Sequence, residues 1–159
     1  MKYIKLTQGY KCKVDDEDWE LLKNYNWHVT IPKSSTKYAK RRIGHRNIFM
    51  HRIITNCPIN MVVDHIDGNG LNNQRSNLRI VSRAQNCQNS NHQKRNTTRY
   101  KGVVKRPGGK YEVNIFKSKK AYYLGRYDCK HEAALIYKNK AIELFKEYAK
   151  LNIIKKGKK

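Results

Sequence analysis

Residues Gln88–Arg99 contain no aliphatic side chain and no Phe, Tyr or Trp. A stretch rich in Asn, Gln, Lys, Arg and Thr has nothing to bury, so it reads as a linker. It divides a chain of 159 residues into two parts, each of which must close a small core of its own. The boundaries expected are an accessory part at 1–60, a compact block at 61–88, a polar linker at 89–99, a module at 100–152 and a basic tail at 153–159.

Charge narrows the partner. Thirty-five Lys and Arg stand against twelve Asp and Glu, a formal charge of +23. That excess repels itself unless a polyanion neutralises it, and nucleic acid is the obvious one. A ribosomal-type protein and a membrane-surface binder are the other classes such a balance suggests. The acids are also unevenly placed. Five of the twelve lie in Asp15–Glu20, and between Leu21 and Tyr111 only Asp64 and Asp67 occur, among eighteen Lys and Arg. Two acids kept in a basic stretch serve either a cation or a solvated turn. Cys12, Cys57, Cys87 and Cys129 are scattered without zinc-ligand spacing, which fits a reducing, intracellular setting. No apolar run is long enough for a signal peptide or a membrane span.

Periodicity predicts an α+β chain. Lys2–Leu6 and Lys11–Val14 alternate around Gly9 as a hairpin. Asp15 and Asp16 cap a short helix carrying Trp19, Leu22 and Tyr25. Trp27–Ile31 and Lys37–Ile43 read as strands, and Ile48–Ile54 is ambiguous. Met61–Val63 is a strand leading into Asp64-His65, Asp67-Gly68-Asn69-Gly70 a turn, Leu78–Val81 a second strand, and Ser82 the cap of a helix at Arg83–Cys87. Beyond the linker, Tyr100–Arg106, Lys110–Phe116 and Ala121–Tyr127 are three strands. Asp128 then caps a helix whose Ala134, Tyr137, Ala141, Phe145 and Tyr148 recur at helical spacing. A three-stranded sheet on one helix is a complete small module.

Residues 61–88 carry the chemistry. Phosphodiester hydrolysis needs an activated water and a cation to neutralise charge on the phosphate and leaving oxygen. Ions of the Mg2+ type take oxygen ligands, and histidine titrates near neutrality as a base. Asp64 and His65 stand side by side at a strand end, Asn77 opens the second strand where its side chain can hold the connecting loop, and Asn86 on the next helix can aim an amide oxygen at the same cleft. Asp67 reads as a loop cap or as a group supporting a ligand, the cap being favoured. His51 reads as structural rather than as an assistant in the cleft. His28, His45, His92 and His131 read as surface or DNA-facing residues.

The run Asp64-His65-Ile66-Asp67-Gly68-Asn69, Asn72-Asn73, Ser76-Asn77-Leu78-Arg79 and Ser82 to Asn86 resembles the HNH nucleases of phages and group I introns, whose ββα-metal fold has the same element order. The resemblance implies that His65 is the general base, that Asp64 and Asn86 hold one divalent metal (Mg2+ or Mn2+), and that Asn77 positions the histidine loop. Upstream, Leu6-Thr7-Gln8-Gly9, Val14-Asp15-Asp16-Glu17-Asp18, Trp27 and Met50-His51-Arg52 resemble the segment that precedes this motif in many such phage proteins.

A second resemblance covers 100–152. Lys101-Gly102-Val103, Gly109-Lys110-Tyr111, Tyr123-Leu124-Gly125-Arg126-Tyr127, Glu132-Ala133-Ala134 and Tyr148–Asn152 are similar to the APETALA/ethylene-response-factor DNA-binding domain. It implies a sheet that reads the major groove with a helix bracing it from behind. Lys101, Arg106, Lys110, Asn114 and Tyr123 are the implied contacts, with Lys117, Lys119 and Lys120 adding phosphate contacts to DNA. Val104, Gly108 and Phe116 depart from the plant pattern, which commonly has Arg, Trp and Arg there. Together the two resemblances imply a site-preferring homing or nicking endonuclease acting on double-stranded DNA, a monomer with no organic cofactor. The other readings are a sequence-specific regulator with a vestigial nuclease motif and a basic RNA-binding protein.

Overall fold

The computed structural model describes residues 1–30, 36–88, 96–118 and 120–154. Ile31 of the third expected strand, His92 and most of the linker, Lys119 and the end of the tail lie outside the described residues. The chain divides into two compact units, Met1–Asn86 and Cys87–Lys159.

The first unit opens with the expected hairpin. β1 (Lys2–Lys5) pairs antiparallel with β2 (Lys11–Val14), so that Ile4 lies opposite Cys12 and both are buried. α1 (Asp16–Leu22) follows with three acids in its first turn, where the helix dipole favours them. It ends three residues before Tyr25. The Leu22 carbonyl accepts the Trp27 indole N–H at 2.9 Å, and Tyr25 instead lies under the Arg41 guanidinium at 3.6 Å. Asp15 occupies the cap position but makes no cap hydrogen bond.

β3 (His28–Thr30), β4 (Tyr38–Ile43) and β5 (Arg46–Phe49) form an antiparallel sheet in that order. The ambiguous run Ile48–Ile54 thus belongs to two elements, the end of β5 and α2 (Met50–Ile54). β6 (Val62–His65) and β7 (Leu78–Val81) pair with Asp64 opposite Arg79 and His65 opposite Leu78. Ser82 then caps α3 (Arg83–Gln88): its Oγ accepts the Gln85 N–H at 3.2 Å, while Gln85 Oε1 accepts the Ser82 N–H at 2.8 Å, a reciprocal capping box. Leu22, Trp27, Val29, Ala39, Met50, Ile54 and Leu78 close one core with the hairpin's Ile4, Leu6, Cys12 and Val14.

In the second unit the ordered contacts begin before Tyr100. Thr98, assigned to the linker by composition, is buried and donates to the Val103 carbonyl at 2.9 Å; polar side chains here satisfy backbone rather than water. β8 (Val103–Lys105), β9 (Tyr111–Lys117) and β10 (Lys120–Tyr127) form an antiparallel sheet with β9 central. α4 (Lys130–Phe145) lies on one face and buries Ala133, Ala134, Tyr137, Ala141 and Phe145 against Val103, Val113 and Ile115. The cap position belongs to Cys129, not Asp128, whose exposed carboxylate lies 3.2 Å from Lys110 Nζ instead. Tyr148 falls outside α4, in a 3-10 turn.

Between Tyr123 and Arg126 the register of β10 against β9 slips by one residue. This bulge, with Gly125 at φ +108°, puts Tyr123 and Arg126 on the same face, opposite Asn114 and Glu112. No helix among the described residues is long and apolar enough to cross a membrane.

Candidate active site

Asp64 and His65 end β6 and are both buried. Their strand neighbours direct them differently. Asp64 faces Arg79, and its Oδ2 accepts from Nε at 2.8 Å and from Nη2 at 2.7 Å. Two guanidinium donors compensate a carboxylate that would otherwise be costly to bury. No role for Arg79 follows from the sequence alone; its importance comes from the cross-strand register.

His65 lies in an aromatic cluster. Its ring centroid is 5.2 Å from that of His51, edge to face, and 5.8 Å from that of Tyr38; His51 in turn stacks on Phe49 at 5.4 Å. His51, expected to be structural, packs its ring between those of Phe49 and His65. His65 Nε2 lies 2.9 Å from Asn73 Oδ1. Burial lowers the His65 pKa below the usual histidine value, partly offset by the Asn73 bond and by the charges of Asp67 and Asp64. The ring is consequently neutral at neutral pH, the form able to accept a proton.

The loop from Ile66 to Asn77 is held by its own amides. Asn77 Oδ1 accepts the Asp67 N–H at 3.0 Å, and Asn77 Nδ2 donates to Asp67 Oδ1 at 3.0 Å and to the Asn72 carbonyl at 2.8 Å. The Asn77 carbonyl accepts the Ile66 N–H at 2.9 Å. Asn77 thereby spans the two ends of the loop that follows His65. Asp67 acts as the loop cap. Partial burial raises its pKa, but hydrogen bonds from Asn72, the Asn69 N–H and Asn77 outweigh this and hold it below the ordinary carboxylate range.

Contacts remote in sequence fix the same loop from outside. Lys13 in β2 donates its N–H to the Leu71 carbonyl at 2.9 Å and accepts the Asn73 N–H at 2.8 Å. The Asp15 carboxylate accepts from Gln74 Nε2 and from the Arg75 N–H, both at 2.8 Å, which is why it is not available to cap α1. Arg75 forks onto Asp18, with Nε 2.9 Å from Oδ2 and Nη2 2.7 Å from Oδ1. Asp15, Glu17 and Asp18 do cluster closely enough for a cation, but the Arg75 guanidinium already pairs with Glu17 and Asp18, and Asp15 accepts from Gln74 and the Arg75 backbone N–H.

Asn86 is exposed in α3, where its N–H donates to the Ser82 carbonyl at 3.0 Å; no hydrogen bond joins it to Asp64. A carboxylate and an amide oxygen are the donor types a hard divalent cation takes, so Asp64 and Asn86 fit such an ion by chemistry. A cation sharing Asp64 would compete with Arg79 for Oδ2.

In the second unit the residues implied for DNA contact do not all share a face. Arg106, Asn114 and Tyr123 lie on the face away from α4. There Glu112 accepts from Arg106 Nη2 at 2.6 Å, Asn114 Nδ2 at 2.9 Å and Arg126 Nε at 3.1 Å. Led by the Arg106 bond, these donors push the Glu112 pKa down to about 2. Phe116 and Tyr123 stand exposed beside this cluster. Lys117 alternates to the opposite face of β9 and donates to the Leu144 carbonyl of α4 at 3.0 Å. Lys101 is half-buried, which lowers its pKa to about 8, with Lys150 adding repulsion. Its backbone N–H and C=O are both held by the Asn152 side chain. Lys110 is exposed near Asp128.

Comparison with known proteins agrees with the geometry. Residues 49–88, from the end of β5 to α3, match the HNH endonuclease family. A protein of Acanthamoeba polyphaga mimivirus described as an HNH endonuclease is 32% identical over 148 residues, which cover 92% of this chain and 77% of that protein. No solved structure matches the chain. With a buried Asp-His pair at a strand end, an Asn-braced loop and a capped helix all inside the matched stretch, and the likeness running through nearly the whole chain, the protein belongs to the HNH endonuclease family.

Proposed function

We propose that this protein cuts double-stranded DNA by hydrolysis, with His65 as general base and Asp64 and Asn86 as the ligands of one divalent cation, Mg2+ or Mn2+. The reading is carried by one observation. His65 is buried, its pKa is lowered by that burial, and it sits at the end of a strand whose following loop is fixed by Asn77. In the proposed reaction His65 takes a proton from a water as its oxygen attacks phosphorus, and the bond from phosphorus to the 3′ oxygen breaks. Asn77 keeps the loop, and so the histidine, in place. A bound cation would supply neutralisation of the charge on the phosphate and the departing 3′ oxygen.

The second unit would bias where cutting occurs. It is similar at 100–152 to the APETALA/ethylene-response-factor domain. Its open sheet face offers Arg106, Asn114 and Tyr123 to base edges or phosphates, with Lys110 and Lys101 near the rim. The enzyme would thus act as a site-preferring nicking endonuclease of the homing type.

Supercoiled plasmid incubated with purified protein, with and without Mg2+ or Mn2+, tests this. Metal-dependent conversion to the nicked circle is expected, slowed on the order of a hundredfold to ten-thousandfold in His65→Ala. Equal rates for the two proteins would sink the role given to His65.

A further inference from the structure

Asn73 is fully buried, it is not one of the residues assigned a role above, and its side chain touches three different chain segments. Its backbone N–H is fixed 2.8 Å from the Lys13 carbonyl of β2, so the position of the side chain is set by the first hairpin. The amide reaches His65 Nε2 through Oδ1, at 2.9 Å, and turns Nδ2 toward two sulfurs, Cys12 Sγ at 2.7 Å and Met50 Sδ at 3.6 Å.

That orientation is decided by chemistry. A thioether has lone pairs and no proton, so the group facing Met50 must be a donor. The Cys12 thiol has the Leu71 carbonyl 3.2 Å away and Met50 Sδ 3.5 Å away as acceptors for its own proton, and burial pushes its pKa up to about 12, so it stays a neutral thiol that need not donate to Asn73 and can turn sulfur lone pairs toward it. Turning the amide over would set its oxygen against both sulfurs and its NH2 against the ring. The oxygen therefore faces His65. An amide oxygen only accepts, so Nε2 must carry the proton, and a neutral imidazole protonated there has its acceptor lone pair on Nδ1.

We propose that Asn73 is the positioning residue for the base: its amide, oriented by Cys12 and Met50, holds His65 as the Nε2–H tautomer and so makes Nδ1 the atom that receives the proton from water. The inference rests on the reading of His65 as base. It assigns Asn73 no contact with DNA or metal, and it gives the buried Cys12 a function as an acceptor that keeps the amide from turning over.

Two measurements on the full chain test it. Long-range 1H–15N correlations of the His65 ring at neutral pH, assigned by their loss in His65→Ala, should show a protonated Nε2 and an unprotonated Nδ1. A proton on Nδ1 would overturn the proposal. Asn73→Ala should show both tautomers and nick plasmid about tenfold to a hundredfold more slowly in kcat, with KM for DNA little changed. Asn73→Asp keeps an acceptor oxygen of the same reach toward Nε2 but sets its second oxygen against the Cys12 and Met50 sulfurs, so it should hold the Nε2–H tautomer and recover part of that rate. An unchanged kcat in Asn73→Ala, or a folded Asn73→Asp as slow as Asn73→Ala, would count against the role. Full activity in His65→Ala is a separate outcome: it removes the base reading and with it the catalytic meaning of the tautomer, whereas Nδ1 protonation beside an inactive His65→Ala removes Asn73 alone.

Discussion

His51 shows what the neighbourhood of the base does to a titrating group. Its ring is buried among Phe49, Tyr38 and His65, its Nδ1 has no hydrogen-bond partner among the described residues, and burial, followed by the charges of His65 and Arg52, pushes its pKa from 6.5 to about 3. The unfolded chain takes up a proton at this residue below about pH 6.5 and the folded protein does not until about pH 3. Stability from the neutral ring is therefore complete above 6.5 and is lost as pH falls through that window, by up to about 1.4 kcal/mol per pH unit. Denaturant midpoints between pH 7 and pH 4.5 should fall less steeply for His51→Phe than for the unsubstituted protein, and parallel slopes would show that His51 is not the group responsible. Asp64, His65 and Asn77 were legible in the sequence because their types and spacing follow from the chemistry of one short segment. Asn73 and Arg79 were not. The first depends on Cys12, sixty-one residues away, and the second on which residue faces Asp64 across β6 and β7.

Elements whose signal is local were legible: the β1–β2 hairpin, the β6 and β7 strands, the Ser82 cap and the apolar face of α4. β5 was not, because its strand character comes from pairing with β4 and its sequence runs without a break into α2. Alternation along β9 also separates residues that proximity in sequence groups together, sending Lys117 to the helix while Phe116 faces solvent. At the start of β8, Gly102 has φ +73°, and a Cβ there would overlap the Tyr137 ring of α4 and lie 2.7 Å from the Asn114 carbonyl oxygen. Gly102→Ala should destabilise the second unit by about 3 kcal/mol, through an unfavourable backbone conformation and overpacking together. Hydrogen exchange at the β9 amides should accelerate accordingly, and unchanged protection would show that α4 and β8 yield more easily than this packing implies.

For the whole molecule, a formal charge of +23 implies that binding is dominated by released counterions. Affinity for a DNA duplex should fall by on the order of a thousandfold or more between 50 and 200 mM salt, as expected for six or more neutralised phosphates, and a flat titration would contradict this account. The few acids fit the same picture. Asp15 and Asp18 are turned onto Gln74 and Arg75, and Glu112 onto Arg106 and Arg126, so these three carboxylates are matched internally instead of facing a polyanion. The ties from Lys13, Asp15 and Asp18 to the loop after His65 have one more consequence. The matched stretch, residues 49–88, does not itself contain those partners. Transplanted into another scaffold it would bring Asp64, His65 and Asn77 along, but leave behind the backbone and the carboxylates that hold their loop in shape, so recombination would have to move the opening hairpin and helix together with it.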